Sequence, residues 1–149
     1  MIQIQLNTSQ HSDQSEWFEY HLANTSVWFD QPIPSLSPFL SQHHLPPTPP
    51  TAWKLEMHSS LETSYRGPGW IANQWREVHC QFGDQGYYLT VPGAGSFCIS
   101  PGGSQVILLS REEHAQDQVV IESALGPALI LALALNGVWC LHASAAVFE

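Results

Sequence analysis

Glycine is the first residue type here whose spacing could do chemistry. Gly93-Ala94-Gly95 and Gly102-Gly103 are the two glycine-rich points of the chain. A phosphate-binding loop needs successive backbone N–H groups that cradle the phosphates, a Lys that reaches their oxygens and a Ser/Thr that holds Mg²⁺. No Gly-x-x-x-x-Gly-Lys-Ser/Thr occurs, and the single lysine, Lys54, lies in a strand-like segment without such glycines. Neither glycine pair leads into a helix, and their Pro-Gly context (Pro92-Gly93, Pro101-Gly102) predicts hairpin turns. The eight histidines raise metal binding, yet His43-His44 and His79-Cys80 are chain neighbours, which rarely chelate one ion, and no C-x-x-C or H-E-x-x-H is present. Glu112-Glu113 with Asp117 could serve acid–base work, but carboxylates on a loop between strands are most often solvated. Ser144 has no general base near it in sequence, so it is not read as a nucleophile. The six tryptophans, with Tyr87 and Tyr88, could line a peptide or sugar groove or fill the core of a small β domain.

Composition narrows the partners. The 149 residues suffice for one domain with a real core, and 44% of them are hydrophobic. The formal charge is −9, with Lys54, Arg66, Arg76 and Arg111 as the only cations, so a nucleic-acid surface is not expected. Charged residues make up 11%, a surface poor in charge and prone to association. Three unclustered cysteines, Cys80, Cys98 and Cys140, make a poor disulfide framework. With no basic segment followed by an apolar run at the start, a reducing cytoplasmic setting is expected.

The elements follow from pattern. Residues 1–16 are polar and carry little structural signal. Trp17 to Phe29 reads as strand material around an Asn-Thr turn. Asp30 to Thr51 holds seven prolines and reads as a surface loop or linker. Trp53, Leu55 and Met57 alternate with polar residues as in a half-buried strand. Arg66-Gly67-Pro68-Gly69-Trp70 reads as turn chemistry. Strands are predicted at Trp75–Phe82, Gly86–Val91, Gly95–Ser100 and Gln105–Leu109, with another at Gln118–Glu122. Leu125 to Leu135 predicts a helix with Pro127 in its first turn, stopped by Asn136-Gly137. It is apolar all round and so should be buried. Val138 to Phe148 predicts a buried strand. Ala124 to Phe148 holds no charged residue and could span a bilayer by length. Its polar and Gly/Pro interruptions, and the lack of flanking Lys or Arg, argue against a membrane anchor.

The run Gly126 to Phe148, GPALILALALNGVWCLHASAAVF, is similar to a segment of HPr serine kinase/phosphatase-like proteins, in which a β-rich region leads to a Gly-Pro apolar helix and a His-containing strand. Leu141-His142-Ala143-Ser144 matches that strand, and GYYLTVPGAGSFCIS resembles the preceding β-rich region. The resemblance covers about Trp75 to Phe148 and places His142 as the catalytic candidate, near the phosphate site, where imidazole could hydrogen-bond phosphate or move a proton. A histidine satisfied inside a buried strand is the competing reading. The family implies ATP and Mg²⁺ for the complete enzyme, but the chain stops before the phosphate-binding loop and looks truncated.

The expected fold is α+β, an antiparallel β-rich domain with one buried apolar helix near the C-terminus followed by a strand. Three regions are expected: residues 1–51, polar and Pro-rich with strand material at 17–29; 52–123, β-rich; and 124–149, a helix–strand segment resembling the start of a kinase core. Functionally, the chain reads as the non-catalytic N-terminal region of an HPr serine kinase-like protein. The alternative is a small stand-alone β-rich module that binds a peptide or protein. No cofactor-binding or metal-ligating residue is assigned. The partners to expect are a separate P-loop-containing kinase chain, a second copy, or a peptide or carrier protein, with no nucleic acid and no membrane.

Overall fold

The computed structural model describes residues 1–7, 16–22, 24–41, 63–83 and 85–139. Its centre is an eight-stranded sheet made of β1 (Ile2–Gln5), β2 (Phe18–Leu22), β3 (Thr25–Phe29), β4 (Thr63–Ile71), β5 (Gln74–Gly83), β6 (Gly86–Val91), β7 (Gly95–Ile99) and β8 (Gln105–Arg111). The spatial order is β2-β3-β1-β8-β7-β6-β5-β4. β4 to β8 form an antiparallel meander, and the Gly-bearing turns after β5, β6 and β7 fall where the sequence places them. β2 and β3 form a hairpin around Asn24, which adopts a left-handed φ of 59°.

The sheet is mixed, which corrects the wholly antiparallel expectation. β1 runs parallel to both neighbours, with Ile4 opposite Phe29 on β3 and opposite Val106 on β8. It joins the hairpin to the meander, and a strand so enclosed is covered on both faces. Ile2 and Ile4 are fully buried and Gln3 is 6% exposed. The stretch that reads as featureless polar chain therefore supplies an interior strand.

Ile2, Ile4, Val27, Phe29, Leu89, Val91, Phe97, Ile99, Val106 and Leu108 belong to one buried cluster with the helical segment. Each such side chain removed from water stabilises by about 1.5–3 kcal/mol. The helical segment comprises α1 (Asp117–Ser123), a wider π turn (Ala124–Ala128) and α2 (Leu129–Leu135). α1 replaces the strand expected at Gln118–Glu122. Val119 and Val120 pack inward, Asp117 sits in the first turn, and Gln118 donates to Glu122 one turn on at 2.8 Å, so helical packing overrides the β-branched run. The kink falls at Gly126 (φ −83°, ψ −105°), because Pro127 disfavours helical geometry in the residue before it. At the other end Gly137 N–H bonds Ala134 O and Val138 N–H bonds Leu133 O, the paired bonds of a Schellman stop around a left-handed Gly137 (φ 77°). The segment Asp117–Leu135 is long and apolar enough to cross a membrane by length and composition, but one side of it is buried in the sheet's core. Its burial is one-sided: Ala128, Leu129, Ala132 and Leu133 are buried, whereas Ile130 is 47% exposed.

The edges differ. Along β2 the chain returns after a 3₁₀ turn (Pro34–Phe39), and Ser41 N–H bonds Glu19 O at 2.8 Å. Tyr20 anchors that return, its hydroxyl accepting the Ile33 N–H at 2.8 Å and its ring meeting Phe29 edge-on. β4 is the opposite edge, and it contains the Arg66–Trp70 segment that reads as a turn. Pro68 and Gly69 are tolerated there because an edge strand needs ladder bonds on one side only. The turn lies two residues later, at Ala72-Asn73, both left-handed (φ 50° and 58°) as a two-residue hairpin requires. The strand expected around Trp53–Met57 and all but the first two residues of the one expected over Val138–Phe148 lie outside the described residues.

Candidate binding surface

Among the described residues the β4–β5 hairpin carries the largest concentration of exposed aromatic surface, with Tyr65, Trp70, Trp75 and Phe82. Its register sets Trp70 opposite Trp75, Pro68 opposite Glu77 and Arg66 opposite His79. Side chains at alternate positions of paired strands share one face, so these six lie together. The indoles meet edge-to-face, centroids 5.2 Å apart at 71°, and remain 58% and 70% exposed. A groove of about 350 Å³ runs beside them, lined by Arg66, Gly67, Pro68, Trp75, Arg76 and Glu77. Glu77 lies 4.0 Å from the Arg66 guanidinium and 3.6 Å from His79 Nε2. These exposed contacts are weak, and they leave Arg66 able to engage another group.

The two arginines of the groove have different tasks. Arg76 is tied down: Nη1 donates to Pro92 O at 2.7 Å, Nη2 to Gln74 Oε1 at 3.2 Å and Nε to Ile71 O at 3.4 Å. Its guanidinium lies where a Cβ on Gly93 would stand, so glycine is needed there for close approach and for its φ of 83°. The hairpin tip is also fixed, because Ala72 N–H donates to Glu122 Oε2 on α1 at 2.6 Å. The aromatic pair thus stands on a braced support.

A second cleft, of about 340 Å³, opens where β1, β3 and β8 end together, beside Asn7, Gln31, Arg111 and Asp117. The carboxyl ends of parallel strands are a common ligand position. Its charged groups are paired with one another, however. Arg111 Nη2 donates to Asp117 Oδ1 at 2.6 Å and to Ala115 O at 2.5 Å. Beneath it the buried Asp30 carboxylate accepts the N–H groups of Leu6 and Asn7, each at 2.9 Å. Burial holds the Asp30 pKa above its ordinary value in spite of those bonds.

His142, the catalytic candidate, lies outside the described residues, as do Ser144, His43, His44 and Lys54. His79 and Cys80 are neighbours on β5 and point to opposite faces, so they form no ligand pair. Glu112 and Glu113 are exposed, and Asp117 opens α1. Gly93-Ala94-Gly95 and Gly102-Gly103 make the β6–β7 and β7–β8 turns. Among the aromatics Trp28 is buried and Tyr87 and Tyr88 are half-buried. The exposed pair itself is not singled out by sequence reading. Its signal is the symmetry of Trp-Ile-Ala-Asn-Gln-Trp about a two-residue turn. No family model, curated protein or solved structure matches this chain.

Proposed function

We propose that this chain is a non-catalytic, β-rich binding module that holds a peptide or protein partner on the β4–β5 face. The observation that carries the reading is the exposed Trp70–Trp75 pair beside a groove containing an incompletely engaged arginine. Trp and Arg are the residue types that most often dominate binding energy, and a braced support lowers the entropy lost on binding. The test is selection of a displayed peptide library on the immobilised chain. Enriched peptides should bind the Trp70→Ser/Trp75→Ser variant at least about tenfold more weakly. Enriched peptides indifferent to that double substitution would sink the reading.

A second reading is favoured by the helical segment. The Gly126-Pro127 break, α2 and the Asn136-Gly137 stop follow a β-rich region in the order expected of an HPr kinase-like protein. Ile130 and Trp139, 47% and 79% exposed, offer an apolar place for a separate P-loop-containing chain. Co-purification of such a chain, lost on Ile130→Asp, is the expected outcome. Under both readings the chain alone transfers no phosphate, so serine phosphorylation by the purified protein with ATP and Mg²⁺ would overturn both.

A further inference from the structure

The cleft at the ends of β1, β3 and β8 shares no lining residue with the β4–β5 groove. We infer that it binds a free α-amino acid with an apolar side chain. β1 runs parallel to β3 and β8, so the carboxyl ends of all three open into the cleft. Its volume is about 340 Å³. That lies near the lower bound of roughly 300–1,000 Å³ usual for small-molecule sites, so the ligand is small. The inner surface is apolar, with Leu6 and Val120 6% and 4% exposed. The rim carries a cation and an anion side by side, because Arg111 Nη2 donates to Asp117 Oδ1 at 2.6 Å. The second hydrogen of Nη2 goes to Ala115 O. Arg111 Nε and Nη1, and Asp117 Oδ2, have no hydrogen-bond partner among the described residues. Three guanidinium hydrogens are thus left for a carboxylate, and one carboxylate oxygen for an ammonium.

A free α-amino acid carries those two groups on one carbon, whereas a peptide holds them at opposite ends. The zwitterion has no net charge, so the formal −9 of the chain does not repel it. Its apolar side chain would rest on Leu6 and Val120, where its transfer from water is favourable. The cleft is also formed before a ligand arrives. From below, the Asp30 carboxylate fixes Leu6 and Asn7, and Asn7 Nδ2 donates to Asp30 O at 3.3 Å. Pro32 and Pro34 make a stiff wall, and between them the Ile33 N–H is held by the Tyr20 hydroxyl at 2.8 Å. Little conformational freedom is left to lose on binding.

Isothermal titration calorimetry on the full chain tests this with leucine and phenylalanine as probes. At least one should bind with a Kd below about 1 mM. Its amide lacks the carboxylate and its N-acetyl derivative the ammonium, and each should bind at least about tenfold more weakly. Glycine, which lacks the apolar body, should be weakened as much. On the protein, Arg111→Gln and Asp117→Asn should each cost at least about tenfold in affinity, whereas Trp70→Ser/Trp75→Ser should change nothing. Asp117 is 82% exposed, so its replacement leaves the core intact. Four results overturn the inference: neither amino acid binds, the derivatives or glycine bind as tightly as the parent, Asp117→Asn binds as the wild type does, or binding is lost in the indole variant. The peptide selection reads the β4–β5 face alone, so the two ideas fail separately.

Discussion

Asp30 fastens the ends of β1 and β3, and its position makes a pH signature. Burial raises its pKa above the ordinary 3.8, outweighing the Leu6 and Asn7 N–H groups that favour the charged form. The folded chain therefore holds this proton more tightly than the unfolded chain. Asp30's contribution to stability is present below 3.8 and declines as pH rises through the folded-state value. The urea midpoint of the wild type minus that of Asp30→Asn should fall across that window and be flat beyond it. A difference that rises with pH would contradict the assignment. Cys98 gives a second residue-scale expectation. It is fully buried and its pKa is pushed up to about 12, chiefly by desolvation. In the folded protein it should label with a thiol reagent only at the rate of unfolding, as peptide mapping would show. Neither role is legible in sequence. Asp30 precedes a proline-rich stretch and its partners lie 24 and 23 positions earlier, so no local pattern marks it.

At the scale of elements, local chemistry was the more reliable guide. The Asn136-Gly137 stop was legible because a helix end is decided by a few adjacent residues, and the meander from β5 to β8 because glycine marks each of its turns. The β4–β5 hairpin was misplaced because Arg66-Gly67-Pro68-Gly69 carries stronger turn residues than the true turn does. Ala72 and Asn73 take left-handed φ values that Ala in particular adopts at a cost. Ala72→Asn with Asn73→Gly should therefore stabilise the protein by roughly 0.5–1 kcal/mol, raising Tm. An unchanged or lower Tm would show that the Glu122 bond, rather than the dihedrals, decides this turn. α1 was misread as a strand because its β-branched residues favour a sheet locally, and only their burial against the core reverses that preference.

At the scale of the whole molecule, β1 holds two sub-sheets together. Four residues supply the parallel pairing on both sides, so Ile4→Asp places a charge where Ile4 is fully buried and should unfold the chain, read as loss of the circular-dichroism transition. A cooperative transition retained near the wild-type temperature would show that the hairpin and the meander do not depend on β1. The mixed topology was beyond sequence reading, since a parallel pair gives no turn signal and Gln3 meets Gln105 across most of the chain.

The same strand has a consequence for synthesis. β1 is made about a hundred residues before its β8 partners, with Gln3 opposite Gln105 and Ile4 opposite Val106. Until then the sheet has no keystone, and every nascent chain carries an apolar strand in search of an edge. Folding should be slow for a domain of this size, on the millisecond-to-second scale, and synthesis halted before β8 should yield insoluble product.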